Sequence, residues 1–134
     1  MDAKFQSKLS ISLLSLRIGI FLVFLVWGLD KIVLTEHAIK VFSGFYGLNV
    51  SPTIMISLGI GQLLFLVAFV LGMWRNVTYL AIFVLHLFST LSSFGKYLDP
   101  FNNLLFFAAW PMLAACLALY LLRDFDTYTV KIKK

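Results

Sequence analysis

Five polar side chains interrupt or border otherwise apolar segments, and they are the residues of this chain that could do chemistry. Arg17, Gln62 and His86 lie inside such segments, where a polar group costs free energy unless it is paired or functional. Their side chains could hydrogen-bond the carbonyl oxygens of a ligand, and His86 could also relay a proton. Lys31 and Asn103 lie near the ends of their segments and could line a second polar pocket. We therefore treat these five as candidate ligand-binding residues.

Each candidate also has a purely structural interpretation. Arg17 could extend its side chain to the lipid headgroups instead of pointing inward. Gln62 and His86 could do no more than hydrogen-bond neighbouring helices. The sequence contains no nucleophile elbow, phosphate-binding glycine loop or paired carboxylates, so no catalytic residue is predicted and an enzymatic role stays open. His37 and His86 lie far apart and Cys116 is the single cysteine, so no metal or haem ligand set is predicted.

The composition excludes most soluble classes of protein. Of 134 residues, 61% are hydrophobic and only 13% are charged, whereas a soluble domain has about half apolar and a quarter charged residues. The net charge is +5, but the basic residues lie in short breaks between apolar runs. This distribution does not resemble a nucleic-acid-binding surface and is typical of a membrane protein, with the lipid bilayer as its partner.

Four apolar segments approach the ~20 residues that a membrane-spanning helix needs, and none shows the alternation of a barrel strand. We therefore predict an all-α protein: a single membrane domain over residues 1–134, folded as a bundle of four transmembrane helices. The spans are expected at about 11–32, 52–73, 77–94 and 100–122. Asp99 and Pro100 predict a capped start of the fourth helix, and Pro111 predicts a kink within it.

Residues 35–46 predict a short amphipathic helix between the first two spans. The apolar side chains of Ala38, Val41, Phe42 and Phe45 recur at helical spacing, and the charged residues Glu36 and Lys40 lie elsewhere on the helical wheel. A helix with this pattern is expected to lie in the interface on the outer side of the membrane.

The basic residues also predict the orientation. Four spans place both termini and the break at Arg75 on one side, which then carries seven basic residues against three on the other side. The positive-inside rule therefore predicts that both termini lie in the cytoplasm. The seven are Lys4, Lys8, Arg75, Arg123, Lys131, Lys133 and Lys134, and the three are Lys31, Lys40 and Lys96.

Two patterns within the spans predict helix contacts. Gln62 and His86 fall at a similar depth, roughly 14 to 15 Å from the starts of their helices, so they could meet across the bundle. His86 begins a polar stripe, continued by Ser89, Thr90 and Ser93, that should face inward. Pairs of small residues spaced by four predict close helix approach; they are Ser15 with Gly19, Ser57 with Gly61, Ala68 with Gly72 and Ala114 with Ala118.

Four short motifs lie in or at the ends of the spans: Leu16-Arg17-Ile18-Gly19, Trp27-Gly28-Leu29-Asp30-Lys31-Ile32, Gly72-Met73-Trp74-Arg75 and Phe101-Asn102-Asn103-Leu104. Together they resemble the DoxX and DoxD-like family of small integral membrane proteins. Gln62 stands where members often carry a glutamate, and the family's third-span histidine falls nearer Ser92 and Ser93 than His86.

The resemblance implies an accessory subunit of a quinone-coupled redox or oxidative-stress system in a bacterial or archaeal cytoplasmic membrane. It makes a quinone the candidate ligand and a redox protein the candidate partner, although no cofactor is evident from the residues themselves. Two alternatives stay open. The chain could be a small transporter or channel that works as a homo-oligomer, or a structural assembly module with no ligand of its own.

Overall fold

A computed structural model describes residues 2–130, and all regular structure in that range is helical. The prediction of an all-α protein is confirmed for these residues. The basic residues Lys131, Lys133 and Lys134, used above to predict orientation, lie outside them. The α-helices are α1 (Ala3–Val33), α2 (Thr35–Tyr46), α3 (Pro52–Val70), α4 (Arg75–Ser92), α5 (Phe94–Tyr97) and α6 (Ala109–Leu121), with short 3₁₀ helices at Pro100–Asn102, Leu104–Ala108 and Arg123–Phe125.

Three helical segments of the described residues are long and apolar enough to cross a membrane: Ala3–Val33, Pro52–Val70 and Leu104–Leu121. The predicted third span coincides with α4, which has 18 residues but is not among these three. Arg75 and Asn76 at its start and His86 within it dilute its apolar content. The structure therefore supports a membrane-spanning protein, and the crossing by α4 stays a prediction.

Local sequence signals explain where the first helices begin and end. The Asp2 carboxylate accepts a hydrogen bond from the Lys4 N–H at the start of α1. The Ser51 hydroxyl does the same for Ile54 at the start of α3, where Pro52 fills a position that needs no backbone donor. Helix α2 ends at Gly47, whose φ of 66° suits a residue without a Cβ. A helix is thus present at residues 35–46, and its amphipathic character and location in a membrane interface stay predictions.

Helices α1 and α3 run antiparallel and approach closely. At one end of the pair Gly72, just beyond α3, lies against Arg17, and at the other end Gly59 lies against Lys31 and Ile32. Helices α4 and α6 are also antiparallel. The start of α4 lies beside the residues that follow α6, and the His86 ring contacts the backbone of Ala109 at the start of α6.

The tightest apolar packing lies toward the end of the bundle that holds both ends of the described chain and the α3–α4 turn. Helices α1, α3, α4 and α6 contribute two residues each, so this core ties the four long helices together. Burial of apolar side chains between helices fixes their mutual positions through close packing. The core residues are Leu13, Ile20, Leu66, Phe69, Tyr79, Ile82, Cys116 and Leu119.

The fourth predicted helix differs most from the structure. Regular α-helix begins only at Ala109, after the two 3₁₀ segments. Pro111 therefore lies in the first turn of α6, where a missing backbone donor does no harm, and not in the middle of a regular α-helix as the predicted kink assumed. The predicted backbone cap at Asp99 is also wrong, because its carboxylate accepts hydrogen bonds from the Asn102 side-chain amide at 2.9 and 3.1 Å.

The glycines at which two helices approach closely are not those of two predicted small-residue pairs, Ser15 with Gly19 and Ser57 with Gly61. A Cβ added at Gly19 or Gly61 would meet nothing within 4 Å, so the prediction that these two pack against a neighbouring helix is wrong. A Cβ at Gly59 would lie 2.8 Å from Ile32 Cγ1 and 3.1 Å from the Gly28 carbonyl oxygen. Gly59 and Gly28 therefore allow α1 and α3 to approach.

We expect Gly59→Ala to lower the free energy of unfolding by about 1–3 kcal/mol, because the added methyl forces α1 and α3 apart. Gly61→Ala, two residues away in the same helix, is the matched control and should change stability by less than about 1 kcal/mol. Unfolding by SDS in mixed micelles measures both. Equal losses in the two variants would contradict the assignment of Gly59 to the helix contact.

Candidate functional site

Arg17 points into the protein and is paired there. Its side chain is 2% exposed, and Nη1 donates hydrogen bonds to Tyr79 Oη and Asp126 Oδ2, each at 2.9 Å. Tyr79 Oη in turn donates to the same Asp126 oxygen at 2.7 Å. This arginine cluster, made of Arg17, Tyr79 and Asp126, joins α1, α4 and the segment after α6. Of the two interpretations of Arg17, the structure supports inward pairing.

The segment that carries Asp126, residues 123–130, crosses the end of the bundle and is called the C-terminal strap below. Arg17 Nη2 donates to the Tyr128 carbonyl oxygen. Arg75 Nη1 donates to the carbonyl oxygens of Arg123 and Asp126 at 2.6 and 2.8 Å. Backbone carbonyls of the strap are thus held by two guanidinium groups from α1 and α4.

The strap also contacts the start of α1 and the end of α3. Gln6 Nε2 and Ser10 Oγ each donate to the Phe125 carbonyl oxygen at 3.2 Å. The Val130 N–H donates to the Leu71 carbonyl oxygen at 2.9 Å. The strap therefore connects all four long helices at one end of the bundle.

Gly72 provides the space in which the cluster sits. Its φ is 67°, in the left-handed region, and a Cβ there would collide with Arg17 Nη1 and lie 2.5 Å from Thr129 Cγ2. Trp74, two residues later, also has a positive φ of 46° and is exposed. A bulky side chain rarely adopts this conformation, so the tight turn imposes strain at Trp74.

The cluster places a buried ion pair where water does not surround it. Arg17 and Asp126 are both about 2% exposed, so their attraction is little screened, but both charges have lost their hydration. Two atoms of the pair, Arg17 Nε and Asp126 Oδ1, are buried without a hydrogen-bond partner among residues 2–130. The pair is therefore strong but incompletely satisfied.

Gln62 and His86 lie on either side of Phe24. Gln62 Nε2 donates to the Phe24 carbonyl oxygen at 2.7 Å, and the His86 ring meets the Phe24 ring edge to face at 6.3 Å between centroids. His86 Nε2 bonds the Ala109 carbonyl oxygen at 3.1 Å. Because a carbonyl only accepts, Nε2 carries the proton. The inward direction predicted for the polar stripe holds for His86 and Thr90, which are buried.

Lys31 and Asn103 each bond to their own stretch of chain. Lys31 Nζ donates to the Trp27 carbonyl oxygen at 3.0 Å and lies 5.6 Å from the centre of the Phe42 ring. Asn103 Nδ2 donates to the Asp99 carbonyl oxygen at 2.9 Å. None of these contacts joins Lys31 to Asn103, and a polar pocket shared by the two residues stays a prediction. The five candidates thus occupy separate environments, and a ligand-binding role for them stays a prediction.

Two cavities among the described residues lie at opposite ends of the helix bundle. One, of about 290 Å³, lies beside Phe45 and Lys96, and another, of about 280 Å³, lies beside Trp74 and Asp124. Neither is lined by Arg17, Gln62 or His86. No group of three or more His, Cys, Asp or Glu side chains within residues 2–130 is placed to hold a metal ion.

Sequence reasoning missed Tyr79 and Asp126. The signal that could have found Asp126 is charge balance, since an arginine inside a span needs an acidic partner at the same depth. Asp2, Asp124 and Asp126 are the acidic residues at the end of the bundle that holds Arg17.

Comparisons of the chain with protein-family models, with curated proteins and with solved structures find no match.

Proposed function

We propose that the chain is a four-span protein of the cytoplasmic membrane, with both termini in the cytoplasm, that acts as a non-catalytic accessory or assembly subunit. The antiparallel packing of α4 against α6 supports a crossing by α4, because the two helices share one core and one length of the bundle. The surplus of Lys and Arg at the end with the termini supports the orientation.

The proposal rests on the hydrogen bonds that the polar side chains of the spans make. Gln62 and His86 bond the backbone of neighbouring helices, and Arg17 bonds the strap. Polar groups placed in this way hold helices together in lipid. Their contacts favour a scaffold over a reaction centre.

The quinone implied by the family resemblance would need hydrogen-bond donors directed at its carbonyl oxygens. Gln62 Nε2 keeps one N–H after its bond to the Phe24 carbonyl, whereas the one N–H of a neutral His86 ring bonds the Ala109 carbonyl and its other nitrogen only accepts. The two residues therefore offer a quinone one free donor for its two carbonyl oxygens and fit it poorly. A redox or oxidative-stress complex remains the proposed setting on the strength of the resemblance, with the partner protein as the bound species.

Transport is less well supported than assembly. A permeation path needs polar groups that follow one another through the bundle. Here, large apolar side chains such as Phe69, Ile82 and Leu119 fill the space between the four long helices. An oligomeric pore would have to run between copies of the chain.

Purification from native membranes in a mild detergent tests the proposal, with partner proteins identified and quinone quantified per chain. We expect a partner at fixed stoichiometry and only substoichiometric quinone. Gln62→Leu and His86→Leu should weaken stability by about 1 kcal/mol each without altering the quinone content. Stoichiometric quinone that is lost in His86→Leu, but not in the lipid-facing control Phe88→Leu, would contradict the proposal.

A further inference from the structure

We propose that Arg17 and Tyr79 form an oxyanion-binding site, filled within the chain by the Asp126 carboxylate, that accepts a phosphate group when the strap moves away. The phosphate belongs to an anionic lipid headgroup or to a free oxyanion. This site goes beyond the accessory role proposed above and does not depend on it.

The site is built for an oxyanion. Two donors, Arg17 Nη1 and Tyr79 Oη, converge on one oxygen of Asp126 at 2.9 and 2.7 Å. Both side chains are almost completely buried, so their positions are fixed by packing. Gly72 keeps the space beside Arg17 open, because any Cβ at that position would collide with the guanidinium.

Asp126 uses only part of this site. Both short bonds end on Oδ2, while Oδ1 has no partner and Arg17 Nε has none within residues 2–130. A planar guanidinium binds carboxylates and phosphates best through two parallel hydrogen bonds. A phosphate, with more oxygens than a carboxylate, satisfies donors that Asp126 leaves unused.

The strap is the part of this end that is best able to move. Beyond Phe125 it has no helix or strand, and Tyr128 and Val130 are about half exposed. Two of its side chains attach it to the bundle, Asp126 in the arginine cluster and Arg123, whose Nε donates to Asn76 Oδ1 at 2.7 Å. Its other attachments are made through backbone groups. Segments held by few buried apolar contacts open more readily than the packed core, and a phosphate bound to Arg17 and Tyr79 replaces the hydrogen bonds that Asp126 gives up.

The surroundings of the site favour an anion. Lys4, Lys8, Arg75 and Arg123 belong to the same end of the bundle and outnumber its exposed acidic residues, Asp2 and Asp124, so the local field attracts negative charge. This is also the end at which the positive-inside rule places cytoplasmic lipid headgroups.

The test removes the internal carboxylate and refills the site from outside. Full-length Asp126→Ala is purified in dodecyl maltoside, which carries no phosphate, and its thermal midpoint is measured in chloride and in inorganic phosphate at equal ionic strength. A parallel arm adds phosphatidylglycerol or phosphatidylcholine to the micelles. We expect phosphate or phosphatidylglycerol to raise the midpoint of Asp126→Ala by about 5 °C. The arm that gives the larger shift identifies the source of the phosphate.

Asp124→Ala is the matched control, because it removes an equal charge from an exposed position of the same strap. It should show no such shift, and Arg17→Gln combined with Asp126→Ala should lose the shift. If Asp126→Ala unfolds in chloride, recovery of folded protein by phosphate or phosphatidylglycerol becomes the readout. Equal responses of the two alanine variants, a shift that survives removal of Arg17, or no recovery of an unfolded Asp126→Ala would overturn the proposal.

Discussion

Replacing Arg17 with methionine is expected to lower the free energy of unfolding by about 3–5 kcal/mol, because it leaves the buried Asp126 carboxylate without its charged partner. The same substitution removes the donor to the Tyr128 carbonyl, so the strap should also detach. Equilibrium unfolding in mixed micelles measures the loss of stability. Faster tryptic cleavage after Arg123 measures the detachment.

Lys8→Met is the control for this prediction. Lys8 lies in the same helix, is exposed and carries the same charge, so its loss should change stability by less than about 0.5 kcal/mol. If Arg17→Met proved as mild as Lys8→Met, Arg17 would be reaching the lipid headgroups instead of the strap.

Gly72→Ala is expected to have the second largest effect. A left-handed residue with a Cβ costs about 1–2 kcal/mol, and the collision with Arg17 and Thr129 adds about 1–3 kcal/mol of overpacking. The variant should therefore lose both stability and protection of the strap from trypsin.

Gly47→Ala separates these two causes. Gly47 has a φ of 66°, almost equal to the 67° of Gly72, but a Cβ there meets nothing within 4 Å. It should show only the backbone cost and keep the strap protected. Similar losses at both glycines would mean that Gly72 matters for its backbone conformation and not for the space it leaves beside Arg17.

Much of the fold could be predicted because few backbone structures are stable for an apolar chain in lipid. Backbone groups in a bilayer must bond within their own helix, so long apolar runs such as Pro52–Val70 were readable as helices. The start of α3 at Pro52 and the end of α2 at Gly47 followed from short-range signals in the sequence. These features depend on neighbours along the chain and are therefore visible in it.

The fourth segment shows what local signals leave undecided. Its composition predicts a single helix from residue 100, yet regular α-helix begins at Ala109. Hydropathy reports how apolar a segment is but does not distinguish 3₁₀ from α geometry. Pro111 was expected in the middle of this helix, but it lies in the first turn of α6, where the helix needs no backbone donor.

The candidate site was harder to predict because its partners are distant in sequence. The depth of Arg17 in the first span was readable, but its pairing with Asp126 joins positions 109 residues apart. Such pairing depends on the strap folding back over the bundle, which no local pattern specifies. Similarly, the equal depth of Gln62 and His86 was readable, yet each bonds the backbone of a neighbouring helix and Phe24 lies between them.

A double-mutant cycle between Arg17 and Asp126 tests the central claim most directly. Arg17→Met, Asp126→Ala and the combined variant are unfolded in chloride, without phosphate or anionic lipid that could refill the site. A direct buried pair predicts that the two losses are not additive, with a coupling of about 1–3 kcal/mol. Losses that add to within about 0.5 kcal/mol would show that Arg17 and Asp126 do not hold the strap to the bundle.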